Sequence, residues 1–79
     1  MKTFKNSDLK ETYTSNGFTY VPMFASVAFS SNGEDILTMY DNQTEKVNSD
    51  DEVCIVETVY IDSRVYSHNI IERDIEVID

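Results

Sequence analysis

Tryptophan is absent from this 79-residue chain, cysteine and proline occur once each and glycine twice. With Cys54 as the single thiol no internal disulfide can form, so packing, a metal or a second chain must hold the domain, and a reducing compartment is the natural expectation. Gly17 and Gly33 cannot build a phosphate-cradling glycine loop. His68, the lone histidine, leaves no His and Cys set for a structural metal, and the serines lack the nucleophile elbow of a hydrolase. No run approaches the roughly 20 apolar residues of a bilayer crossing, and MKTFKNSDLKETYTSN carries no signal-peptide core. These scarcities argue for a cytoplasmic, non-enzymatic protein without a cofactor or a membrane partner.

Positive charge is scarce too, with 6 Lys and Arg against 15 Asp and Glu and a net charge of -9. The imbalance is not uniform. Residues 1–33 set Lys2, Lys5 and Lys10 against Asp8 and Glu11, whereas residues 34–79 set Lys46, Arg64 and Arg73 against thirteen carboxylates, a net of -10. Such a field repels phosphate, so direct nucleic-acid binding is disfavoured, and it attracts basic protein surfaces.

Apolar residues make up 41% of the chain and charged residues 27%, which is ordinary globular usage, and a chain of this length forms one domain. The clearest local signal is 29-FSSNGEDI-36, where Asn32-Gly33 fits a type I′ turn between 23-MFASVAF-29 and 36-ILTMY-40. Upstream, 18-FTYV-21 reads as a short strand stopped by Pro22, whose missing N–H suits a strand start or an edge. Residues 1–16 read as an irregular arm with one helical turn at 7–11 capped by Ser7, and 41–52 as an acidic loop.

The segment 53-VCIVETVYID-62 is largely apolar at both parities, so it belongs at the centre of a sheet covered on both sides. In so short a chain the second cover must come from the N-terminal segment or from a second copy of the protein, which makes 53–62 the candidate seam of a homodimer. A turn near 62-DSR-64 leads to an antiparallel partner at 65-VYSHNII-71. The fold class is therefore mainly β, a small antiparallel sheet or barrel of about five strands.

The ending 70-IIERDIEVID-79 fits two periods. As a helix it aligns Ile71, Ile75 and Ile78; as a strand it sets Ile71, Arg73, Ile75 and Val77 against Glu72, Asp74 and Glu76. Its β-branched residues favour the strand, which would hold the three carboxylates in a row about 6.6–6.8 Å apart. Glu72, Asp74 and Glu76 are thus the first candidates to meet Arg and Lys of a basic partner, with Asp50, Asp51 and Glu52 second. The competing account of such a row is a solubilising edge. Asp50, Asp51 and Glu52 offer oxygen ligands to a hard cation, but a solvated acidic loop is the better account, and 41-DNQTE-45 alternates oxygen side chains without the glycine of an EF-hand loop. Cys54 on a central strand reads as an inert buried thiol, and His68 as a hydrogen-bonded structural residue. The tyrosines, Tyr13, Tyr20, Tyr40, Tyr60 and Tyr66, are interspersed with acidic or neutral residues, which suits a core or protein interface better than stacking on nucleic acid.

In size and charge the chain resembles the small acidic proteins with which phages counter host defences, among them anti-CRISPR proteins and DNA-mimicking restriction inhibitors, and the immunity proteins that neutralise nucleases. The resemblance implies an inhibitor of a basic nucleic-acid-binding protein or nuclease complex, acting in the host cytoplasm.

Overall fold

Two tight turns set the register of the sheet, and both use left-handed backbone. Asn16-Gly17, at φ 54° and 82°, joins β2 (Tyr13–Ser15) to β3 (Phe18–Phe29), and Asp62-Ser63, at φ 50° and 65°, joins β5 (Glu52–Ile61) to β6 (Arg64–Glu72). Positive φ at both central residues is the type I′ geometry whose twist matches a two-residue hairpin. The hairpin expected at 29–36 is present, pairing β3 with β4 (Asp35–Met39), but its turn differs from the sequence expectation. Only Gly33 is left-handed; the Gly33 N–H donates to the Ser30 carbonyl at 3.0 Å and the Ser30 N–H to the Glu34 carbonyl at 2.9 Å. This is a type I turn closed by a glycine bulge, and the Ser30 hydroxyl favours it by accepting the N–H groups of Asn32 and Glu34.

The computed structural model describes residues 1–9, 11–39 and 51–78. Its main sheet has five strands, all antiparallel, in the order β2-β3-β5-β6, with β4 also paired to β3; it is open and not closed into a barrel. Strand β3 does not stop at Pro22 but runs for 12 residues. On its outer side β2 pairs with Phe18–Tyr20 and β4 with Ala25–Phe29, so among the described residues no outer strand faces Pro22. A local edge inside a long strand meets the same requirement that a strand end would have met.

Strand β5 is central, as its two apolar parities require, flanked by β3 and β6. One face carries Phe24, Val53 and Ile55, the other Ala25, Val27, Cys54 and Val56, the latter packed with Met23, Leu37, Met39 and Ile70. Both edges of β5 are paired, and Val53, Cys54, Ile55, Val56, Thr58 and Val59 are buried within the chain.

The cover over Phe24 and Ile55 comes from the chain's own ends. Strand β1 (Lys2–Phe4) pairs in parallel with β7 (Ile75–Val77), and Phe4, Leu9, Ile75 and Val77 pack onto the first face. The arm is thus less irregular than the sequence suggests: besides β1 and β2 it holds a single 3-10 turn at Asn6–Asp8. The Asp8 carboxylate, rather than Ser7, caps that turn by accepting the Lys5 N–H at 2.6 Å. Burying side chains such as Phe24 and Ile75 stabilises the fold by about 1.5–3 kcal/mol each.

The edge strand β6 is blunted by register shifts between Ile55/Val56 and Val59/Tyr60, irregularities that discourage sheet-to-sheet pairing. At its start, Ser63 holds a left-handed conformation that costs an L-residue about 1–2 kcal/mol, of which a glycine's greater unfolded-state entropy returns about 0.5–1 kcal/mol. Ser63→Gly should therefore raise the unfolding free energy by about 0.5–1 kcal/mol, measured as a shift in the urea midpoint.

Candidate functional site

The carboxylates expected in a row, Glu72, Asp74 and Glu76, do not form one. The strand expected through 70–79 breaks at Arg73–Asp74, where Asp74 takes φ 53°, so Glu72 ends β6 while Glu76 sits on β7 in the second sheet. Glu72 meets the Lys2 ammonium at 3.5 Å; Asp74 and Glu76 are exposed and have no cationic partner among the described residues. Arg73 does not share the apolar side with Ile75 and Val77. Its guanidinium turns to Glu52, donating from Nε at 3.2 Å and Nη2 at 2.8 Å, reaches Asp35 at 3.3 Å and lies 5.5 Å from the centre of the Phe29 ring.

Glu52 is therefore part of β5 rather than of an acidic loop, and its carboxylate is engaged within the chain, accepting the Asp74 N–H at 2.9 Å as well. Asp51 is half-buried just before β5, and Asp50 lies outside the described residues, as does most of the loop 41–52.

A cleft of about 380 Å³ opens elsewhere, between the N-terminal arm and the first face of the sheet. Phe4, Leu9, Pro22, Ile55 and Ile71 form its apolar lining, and the carboxylates of Asp8, Glu11, Glu57 and Glu72 surround it. Pairing places Glu57 opposite Pro22 and Glu72 opposite Ile55, so both project on the covered side of the sheet. The cleft follows from the placement of β1 and the 3-10 turn over the sheet, which depends on the pairing of β1 with β7 and has no local signature.

Aromatic rings continue the cleft across the sheet. Tyr13 lines it and stacks on its cross-strand partner Tyr20, with centroids 4.7 Å apart and planes 12° from parallel. Tyr20 contacts Phe18 at 6.4 Å, and Phe18 meets the Tyr66 ring edge-on at 5.8 Å. The Tyr13 hydroxyl donates to Glu57 at 3.3 Å, and partial removal from water together with the Glu57 charge raises its pKa. Tyr13 and Tyr66 stay half or more exposed, at 50% and 67%. The Asn16-Gly17 pair is the signal that could have found this row, because a two-residue turn there puts Tyr13 opposite Tyr20.

Neither His68 nor Cys54 joins the cleft. His68 Nδ1 lies 2.9 Å from the Thr58 hydroxyl, and burial pushes the Cys54 thiol up to about 11, keeping it protonated and unreactive at neutral pH. Among the described residues no three metal-ligating side chains cluster, and no helix is long and apolar enough to cross a membrane. Comparison with protein-family models, with curated proteins and with solved structures finds no match.

The Glu52 clamp has a definite pH signature. Hydrogen bonding from Arg73, and secondarily from the Asp74 N–H, lowers the Glu52 pKa below its usual 4.5 against the opposing effect of burial. A carboxyl lowered in the folded state contributes its stability in full above the unfolded pKa and loses it as pH falls through the folded value. Glu52→Gln should therefore be less stable than wild type at about pH 7, and the gap should narrow at about pH 3, measured by urea denaturation at each pH.

Proposed function

We propose that this chain is a non-enzymatic binding protein that engages the basic surface of a nucleic-acid-handling protein and blocks it, without itself contacting nucleic acid. The supporting observation is the charge of its second half, a net -10, of which ion pairs among the described residues engage only a part. Arg73 is already committed to Glu52 and Asp35, and Glu72 is met by Lys2. Glu34, Asp51, Glu57, Asp62, Asp74 and Glu76 have no ion pair with a described cationic side chain. Carboxylates left in water around a small rigid sheet raise the local concentration of cationic partners and speed their encounter.

Mimicry of a regular phosphate backbone drew on a straight row at Glu72, Asp74 and Glu76, and the break at Asp74 withdraws that particular support. The broader reading needs no regular spacing. It needs unpaired negative charge and a fold too small and too well packed to depend on that charge for its own stability.

The test is capture from a bacterial lysate on the immobilised protein between about 0.1 M and about 1 M sodium chloride, across which the screening length falls from about 10 Å to about 3 Å. The expected result is enrichment of a basic nucleic-acid-binding protein that elutes as salt rises and whose activity falls when this protein is added. Retention indifferent to salt, or no enrichment of basic proteins, would count against the reading.

A further inference from the structure

The cleft and the row of rings beside it form one surface, and it is suited to a narrower ligand than a basic protein in general. We infer that this surface docks an extended segment of the partner through arginine side chains. The inference rests on the function proposed above and names the site and the residue type that the partner would use.

Three features select arginine. The cleft is apolar at its base, through Phe4, Leu9, Ile55 and Ile71, which suits the methylene stem of a long side chain and gives a small hydrated ion nothing to bind. The Glu11 and Glu57 carboxylates at its rim, which have no ion pair with a described cationic side chain, match a guanidinium, which takes carboxylate oxygens two at a time. The adjoining Tyr13, Tyr20, Phe18 and Tyr66 rings offer faces on which a planar, weakly hydrated cation stacks and a compact ammonium does so less well.

The row crosses from β2 to β6, three interstrand steps of about 4.8 Å each, roughly the length of four residues of extended chain. An extended peptide laid across it therefore turns every second side chain down onto the surface, where successive ones meet the rings and the cleft. The same rings would also suit nucleobases, but the carboxylates at their border repel the phosphates that would accompany them. Charge thus decides between the two ligands that an aromatic surface ordinarily admits.

The experiment uses three labelled peptides, alternating serine with arginine, with lysine or with citrulline, titrated against the full chain by fluorescence anisotropy. The arginine peptide should bind at least about 5-fold more tightly than the lysine peptide, and the citrulline peptide, which keeps the shape but not the charge, should bind weakest. Tyr66→Leu keeps apolar bulk at an exposed position and should reduce the preference for arginine over lysine. Glu11→Gln with Glu57→Gln should weaken both cationic peptides about 10-fold, whereas the distant Glu34→Gln with Asp51→Asn should change little.

Equal binding of arginine and lysine peptides, insensitivity to Tyr66→Leu, or an equal loss in the distant double variant would overturn this site while leaving a general acidic binding role intact. Failure of the wild-type chain to bind either cationic peptide would remove both. Tighter binding of the citrulline peptide would assign the cleft to a neutral ligand and overturn the inference. Circular dichroism of each variant separates a lost contact from a lost fold.

Discussion

The carboxylate of Glu52 is the constraint on which the rest of the molecule turns. Standing at the first residue of the central strand, it receives two guanidinium hydrogen bonds from Arg73 and the N–H of Asp74, and so fixes the chain where β6 ends. There the backbone enters a left-handed conformation at Asp74 and departs from the sheet. Ile75, 4% exposed, then enters the core beside Phe24, Val53 and Ile55, and β7 finds β1 as its partner. Were the strand to continue straight, the first face of the sheet would lose the isoleucine and valine that cover it.

That cover also creates the cleft. The arm bridges the sheet only over Phe24, Val53 and Ile55, and where it turns through Asp8 and Leu9 toward β2 a space of about 380 Å³ remains above Pro22 and Ile55. The same topology that seals one part of the face leaves the neighbouring part open, bordered by carboxylates from the arm and from two strands of the sheet. A surface whose floor is a paired sheet would lose little conformational freedom on docking a partner.

The charge of the molecule is divided between two physical roles. Asp35, Glu52 and Glu72 meet cations within the chain, and Asp8 caps a turn. Glu11 and Glu57 at the cleft border and Glu76 on β7 have no ion pair with a described cationic side chain. A partner that neutralises them gains Coulomb energy without first breaking an internal pair. The Glu52 clamp, by contrast, is engaged within the chain and holds its shape.

Much of the fold was legible in the order of residues. The mainly β class, the central strand at 53–62, the hairpin around Asn32-Gly33 and the inert Cys54 all follow from side-chain period, turn chemistry and burial, which are local properties. The type of the turn at 30–34 was less legible, because Asn-Gly is compatible with more than one geometry and the hydroxyl of Ser30 decided between them. The candidate site was legible only as composition. Glu72, Asp74 and Glu76 share a parity, and parity becomes a shared face only if the strand stays unbroken.

What the sequence determined by itself is the amount and sign of charge in the second half and the apolar content of the central strand, since neither depends on how the chain is arranged in space. What only the tertiary structure decided is which carboxylates are left for a partner. A side chain 21 residues away from Glu52 captures it, and a parallel pairing between the two ends of the chain sets Asp8 and Glu11 beside Glu57 and Glu72. Contacts across such separations are chosen by the burial of Ile75 and Phe4 against a common core, and no local window of sequence contains that choice.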